Sequence, residues 1–137
     1  MDKKKLQEKY VELQLLSMQI KQFEEQLTMI DQKSAELENL RVALHNLHEL
    51  KPGTKTLALV GQGVFVSGAV ENTHEVLLNV GANIIVKKTA HEAEESIANQ
   101  LEQLEDIVLE LSHNLKEYMV KAQAVEEEIN NLAITEK

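Results

Sequence analysis

Between positions 97 and 132, apolar residues recur at every third or fourth place without one exception: Ile97, Leu101, Leu104, Val108, Leu111, Leu115, Tyr118, Ala122, Val125, Ile129 and Leu132. No glycine or proline interrupts the run. A hydrophobic repeat near 3.5 residues places one narrow stripe along a helix, and a stripe held over about five heptads specifies a coiled-coil seam. Helices of compact domains are shorter and carry broader apolar faces. Thr89 followed by Glu92 reads as a capping box, so the sequence predicts a helix over 89–134.

A second helix is predicted over 3–51, which also lacks glycine and proline. Its seam reads Leu6, Leu13, Leu16, Ile20, Phe23, Leu27 and Ile30, and then meets Ser34. After Leu37 the apolar pattern restarts as Leu40, Leu44 and Leu47, a three-residue offset of the kind that overwinds a coiled coil. Pro52-Gly53 is expected to end the helix, because proline disfavours helical geometry at Lys51 and glycine permits a turn. At 1.5 Å per residue each helix would reach roughly 65–75 Å. Helices of nearly equal length joined by a short segment are most economically paired as an antiparallel hairpin. Only 3% of the chain is aromatic, against 43% hydrophobic, which suits helices packed along seams better than a compact core.

Residues 54–88 differ in character. Four β-prone runs, 56–60, 64–70, 75–80 and 84–88, are separated by Gly61-Gln62-Gly63, Glu71-Asn72-Thr73-His74 and Gly81-Ala82-Asn83, all suited to turns. Leu57 and Leu59 alternate with Ala58 and Val60, and Ile84 and Val86 flank Ile85, so strands are apolar on both faces. Four such strands cannot cover themselves, and closing a small barrel takes about eight. Their edges also invite further strands. Oligomerisation through this segment is therefore expected on physical grounds, with Phe65 and Val66 in a strand interface.

The charge excludes some partners. Net charge is −9, and residues 90–137 carry 12 acidic and 3 basic side chains. Such a chain suits neither nucleic acid, whose phosphates call for Lys and Arg, nor a specific acidic site; a solvated helix face is the plain reading. No stretch has the length of a membrane span, the N-terminal residues form no apolar signal segment, there is no Asn-x-Ser/Thr sequon, and cysteine is absent. A cytoplasmic protein in a reducing compartment is the expectation.

Chemistry finds no foothold. Gly61-x-Gly63 has Val66 where a dinucleotide fingerprint needs glycine, and it leads into a strand rather than a helix N-terminus, so it reads as a turn. His45 and His48 share a helix face, but no third metal ligand stands near them in sequence. His74, His91 and His113 are isolated, and no Ser/His/Asp, Cys/His or paired-carboxylate set can be assembled. No enzyme activity, metal or cofactor is expected.

In an antiparallel pair, Leu6, Tyr10 and Leu13 lie beside Val125, Ile129, Leu132 and Ile134 at the end furthest from the strands. Val11, Leu15 and Met18 add apolar surface beyond what a two-helix seam requires. Lys3, Lys4, Lys5 and Lys9 at one helix N-terminus, and Glu126, Glu127 and Glu128 near the other's C-terminus, oppose the helix macrodipoles. A marginal end with spare apolar side chains suits a surface that grips unfolded polypeptide.

The order helix, two β-hairpins, helix, with residues 60–88 reading VGQGVFVSGAVENTHEVLLNVGANIIVKK, resembles the alpha-type subunits of the prefoldin family, in particular the archaeal ones, over nearly the whole chain. Val60, Gly61, Gly63 and Phe65 match the family's first motif; Val80, Gly81, Ala82 and Lys87 match the second. Asn83 stands where a second glycine is usual, and asparagine tolerates a left-handed backbone. The resemblance implies one unit over 1–137, made of a coiled-coil helix (1–51), a hairpin assembly segment (52–88) and a second coiled-coil helix (89–137). It implies a hexamer of two alpha-type and four beta-type subunits whose hairpins form a β-barrel platform. Candidate assembly residues are Val60, Gly61, Gly63, Phe65, Val66, Val80, Gly81, Ile84 and Val86. Candidate client-binding residues are Leu6, Tyr10, Leu13, Val125, Ile129, Leu132 and Ile134. The implied function is an ATP-independent holdase that passes non-native protein to a chaperonin. A structural coiled-coil tether and a homo-oligomeric, filament-forming relative remain as alternatives.

Overall fold

The computed structural model describes residues 2–135. Two helices, α1 (Asp2–Leu47) and α2 (Ala90–Thr135), flank four strands: β1 (Thr54–Gly61), β2 (Val64–Val70), β3 (Glu75–Asn79) and β4 (Ile85–Thr89). The chain divides into two compact units, residues 1–33 with 103–137, and residues 34–102.

The first unit is a helix pair. Lys9 Nζ meets Glu128 Oε2 at 2.7 Å, and Phe23 packs edge-to-face on Tyr118 with ring centroids 5.2 Å apart, so the two segments run antiparallel. The α1 seam residues Leu6, Leu13, Leu16, Ile20, Phe23, Leu27 and Ile30 are all half-buried, while Val125 and Ile129 of α2 are buried. Lys9 fills the seam position between Leu6 and Leu13, its stem half-buried and its ammonium turned to Glu12 (3.3 Å) and Glu128. Long basic side chains can cover apolar surface in this way while the charge stays in water.

The second unit holds the helix segments next to the hairpins, and its core is Leu37, Leu44, Ala90, Ala93 and Ile97. The expected three-residue offset is absent here. Leu37 and Leu44, one heptad apart, are buried, half-buried Arg41 lies between them, and Leu40 is exposed. The seam thus keeps its three-four spacing through Leu44, because the Arg41 stem takes the place that a search for apolar residues gives to Leu40. The Arg41 guanidinium pairs with Glu38, one turn back.

Helix α1 also ends earlier than expected, at Leu47. Amides of His48, Glu49 and Leu50 bond to carbonyls three residues back, and such tightened bonds satisfy the last orphan carbonyls of a helix. Pro52 therefore follows the stop rather than making it. Gly53, with φ of +90°, then donates its amide to Val70 O at 2.7 Å and starts the first hairpin.

The hairpins form two separate two-stranded sheets, β1 with β2 and β3 with β4. In the first, Leu59 faces Phe65 and Ala58 faces Val66, with an irregularity between Leu59 and Gly61. In the second, Leu78 faces Val86 and Asn79 faces Ile85. Gly63 at the first hairpin's turn has φ of +75°, and Gly81 takes φ of +112° at the second, but the two central positions of the second turn are not glycine. Ala82 and Asn83 have φ of +51° and +61°, and Ile84 N donates to Gly81 O at 2.9 Å. Two positive φ angles at the centre mark a type I′ turn, for which Asn-Gly is favoured. Asn83 accepts the left-handed backbone as anticipated. Ala82 carries a Cβ there, at a cost of roughly 1 kcal/mol. Ala82→Gly should thus raise stability by no more than about 0.6 kcal/mol once the about 0.4–1 kcal/mol of extra chain entropy of glycine is set against it, read as a slightly higher melting temperature.

The capping box at the start of α2 is made as expected. Glu92 N donates to Thr89 Oγ1 at 3.0 Å and Thr89 N to Glu92 Oε1 at 3.4 Å. Thr89→Ala should cost about 1 kcal/mol, again visible in a thermal melt, whereas Thr89→Ser should restore most of it.

Candidate functional site

Two apolar surfaces remain uncovered, one in each unit. In the second unit, Leu57, Leu59, Val60, Val64, Phe65 and Val66 of the first hairpin are all exposed. Leu59 and Phe65 share one face and Ala58 and Val66 the other, as the register and the two-residue period require. The second hairpin is one-sided. Val76, Leu78 and Val86 are half-buried, while Leu77, Val80, Ile84 and Ile85 are exposed. Of the nine residues expected to serve assembly, Val60, Gly61, Gly63, Phe65, Val66, Val80, Gly81 and Ile84 are thus exposed, and Val86 lies on the half-buried face. Leu57, Leu59, Leu77 and Ile85 are exposed as well and were not among those nine, although Leu57, Leu59 and Ile85 already stand in the sequence pattern that makes the strands apolar on both faces.

Among the seven residues expected to grip clients, the structure separates two groups. Tyr10 and Ile134 are exposed, and Leu6, Leu13 and Leu132 are half-buried. Val125 and Ile129 are only 5% and 6% exposed. They pack in the seam and can touch another polypeptide only if the helices part. Besides Tyr10 and Ile134, an outer stripe of α1, Val11, Leu15 and Met18, spaced four and three residues apart, is exposed. A separate groove is lined by Leu13, Ser17 and Ile20 of α1 and by Met119, Val120 and Ala122 of α2, with Lys116 and Glu126 also at its walls.

Ion pairs line these surfaces. The Glu128 carboxylate hydrogen-bonded to Lys9, helped by Glu12, holds the Lys9 ammonium above the ordinary lysine range. A raised lysine value means that this ion pair contributes in full below the unfolded lysine range and is lost as pH rises through the raised value. The Arg41 guanidinium likewise holds the Glu38 carboxyl below its ordinary range, and that contribution is lost as pH falls. In the second unit, the partner that His45 and His48 lacked in the sequence is Glu94 of α2, with His45 Nδ1 3.4 Å from Oε1 and His48 Nε2 4.0 Å from Oε2. Each imidazole addresses a different carboxylate oxygen. Among the described residues no group of three His, Asp or Glu side chains is placed to hold a metal ion, and no helix is long and apolar enough to cross a membrane.

Two long seam-forming helices joined by two sparsely covered β-hairpins define a class: coiled-coil subunits that carry a β interaction module. A family model described as prefoldin subunit matches residues 16–135, and the chain belongs to that family; it is a prefoldin-type chaperone subunit. Prefoldin subunit alpha of Methanobrevibacter smithii is 33% identical over 94 residues, 69% of this chain and 64% of that one, just under two thirds of its length. Prefoldin subunit alpha of Thermofilum pendens is 25% identical over 86% of this chain and 92% of its own. A filamentous PFD from Methanocaldococcus jannaschii, solved by cryo-EM, has the same fold, with a TM-score of 0.77 and 24% identity over 87% of this chain and 98% of that one.

Proposed function

We propose that this chain is the alpha-type subunit of a cytoplasmic holdase, joined to beta-type subunits, two with four, through its hairpins, and that the assembly holds non-native polypeptides until a chaperonin takes them. The observation that carries the holding role is the outer stripe Val11, Leu15 and Met18, exposed on the face of α1 turned away from a seam that is already filled. A helix pair that served only as a tether needs no such surplus. Holding by apolar contact alone requires no nucleotide. The assembly reconstituted with a beta-type partner should suppress aggregation of a thermally unfolding client equally well with and without ATP. Failure to protect, or client release that depends on ATP without a chaperonin, would contradict this reading.

A homo-oligomer is the second reading. It is favoured by the exposed strands of the hairpins, whose edges can add further strands, and by likeness to a filamentous PFD. Native mass spectrometry of the chain, alone and mixed with a beta-type subunit, separates the two. Discrete mixed hexamers favour the first and long self-assembled ladders the second.

A further inference from the structure

Methionine is among the residue types most often buried, yet Met18, Met29 and Met119 are 59%, 67% and 53% exposed. All three lie in the helix-pair unit, and none stands at a seam position. The chain has no cysteine, so methionine thioethers are its oxidisable sulfurs. Their settings differ. Met18 completes the outer stripe with Val11 and Leu15, and Met119 lines the apolar groove with Leu13, Ile20 and Val120. Met29 stands instead among Lys21, Glu24, Glu25, Thr28 and Gln32.

We propose that Met18 and Met119 are modification sites at which a hydroperoxide weakens the hold on apolar polypeptide, whereas Met29 is oxidised without consequence. This rests on the holding role proposed above. A thioether lone pair attacks one oxygen of hydrogen peroxide. The S–O bond forms as the O–O bond breaks, and the departing hydroxide takes the remaining proton to leave as water. Sulfur is oxidised by two electrons and the peroxide reduced by two. The product sulfoxide is polar, so a flexible apolar contact becomes a hydrated one. Because neither side chain fills the seam, the helix pair keeps its packing. A dithiol reductant acting through a methionine sulfoxide reductase reverses the step, giving a disulfide and water.

The test compares the assembly with beta-type subunits before and after hydrogen peroxide treatment. Peptide mass spectrometry assigns the oxidised methionines, and circular dichroism checks that helix content is unchanged. Oxidised wild type should need an about fivefold higher concentration for the same protection of a client. Compared with its own untreated sample, the Met18→Leu/Met119→Leu variant should show no loss of protection on the same treatment, the Met29→Leu variant should show the wild-type loss, and reductase treatment should restore it. Equal protection by oxidised and untreated wild type, with Met18 and Met119 shown to be oxidised, overturns the inference. So does an equal loss in the double variant, which would place the sensitive groups elsewhere. An untreated assembly that fails to protect clients overturns the holding role itself and this inference with it.

Discussion

Phe65→Asp and Val66→Asp should each break the assembly into smaller species while the helices remain formed. The two positions are neighbours on β2, so their side chains point to opposite faces of the first hairpin. Phe65 sits opposite Leu59, and Val66 opposite Ala58; neither face is covered within the chain, and Phe65 is 56% exposed. Covering such a side chain with a neighbouring subunit is worth roughly 1.5–3 kcal/mol. An unpaired carboxylate buried in its place costs more than that gain, since a charge moved out of water without a partner is among the most expensive changes in a protein. The loss is repeated at every copy of the interface. Sedimentation velocity should show the parent assembly replaced by subunits or small oligomers at micromolar concentration, with far-UV circular dichroism nearly unchanged because α1 and α2 keep their seams. An intact assembly from both variants would remove the hairpin from the assembly surface. An intact assembly from only one would mean that a single face of the hairpin is covered.

The two helices differed in how far their sequences revealed them, and the difference is physical. Every seam position of α2 from Ile97 to Leu132 is occupied by an apolar residue, so periodicity alone locates its inner face. In α1 the same seam passes through Lys9, Ser34 and Arg41. Two of these bury an aliphatic stem and keep the charge outside, satisfied by Glu128 and Glu38. A rule that equates seam with apolar side chain skips them, which is how Leu40 entered the seam and an offset appeared. The strands were legible in place and pairing, with ends shifted by a residue or two, because turn residues bracket them. The strain at Ala82 was not legible, since alanine carries no turn signal of its own and its positive φ is imposed by the tight connection to Ile84. The exposure of the helix-end apolar residues was legible only in part. Spacing already sets Ile129 in the seam and Leu15 outside it; what it does not tell is how deeply a seam residue is covered, and there Leu6, Leu13 and Leu132 are half-buried whereas Val125 and Ile129 are buried.

Exposed and seam positions at the helix ends can be separated by substitution. A Tyr10→Ser/Val11→Ser/Leu15→Ser variant should assemble and melt much like the parent yet protect clients poorly. All three side chains are exposed, and exposed substitutions away from caps and cores seldom change stability by more than about 0.5 kcal/mol. Each side chain that packs against an unfolded polypeptide contributes roughly 1.5–3 kcal/mol when fully covered. Holding that depends on several weak contacts at once falls steeply when each is weakened, because effective concentration no longer compensates. Ile129→Ser is the matched contrast. Ile129 is buried in the seam, so its loss should cost about 2–4 kcal/mol of helix-pair stability, and the melt should show it. Protection per folded assembly should fall far less than in the triple variant. The readout is aggregation suppression at equal assembly concentration, beside thermal melts of both variants. If the triple variant protects as well as the parent while Ile129→Ser does not, clients are held by the parted seam, through Val125 and Ile129, rather than by the outer stripe.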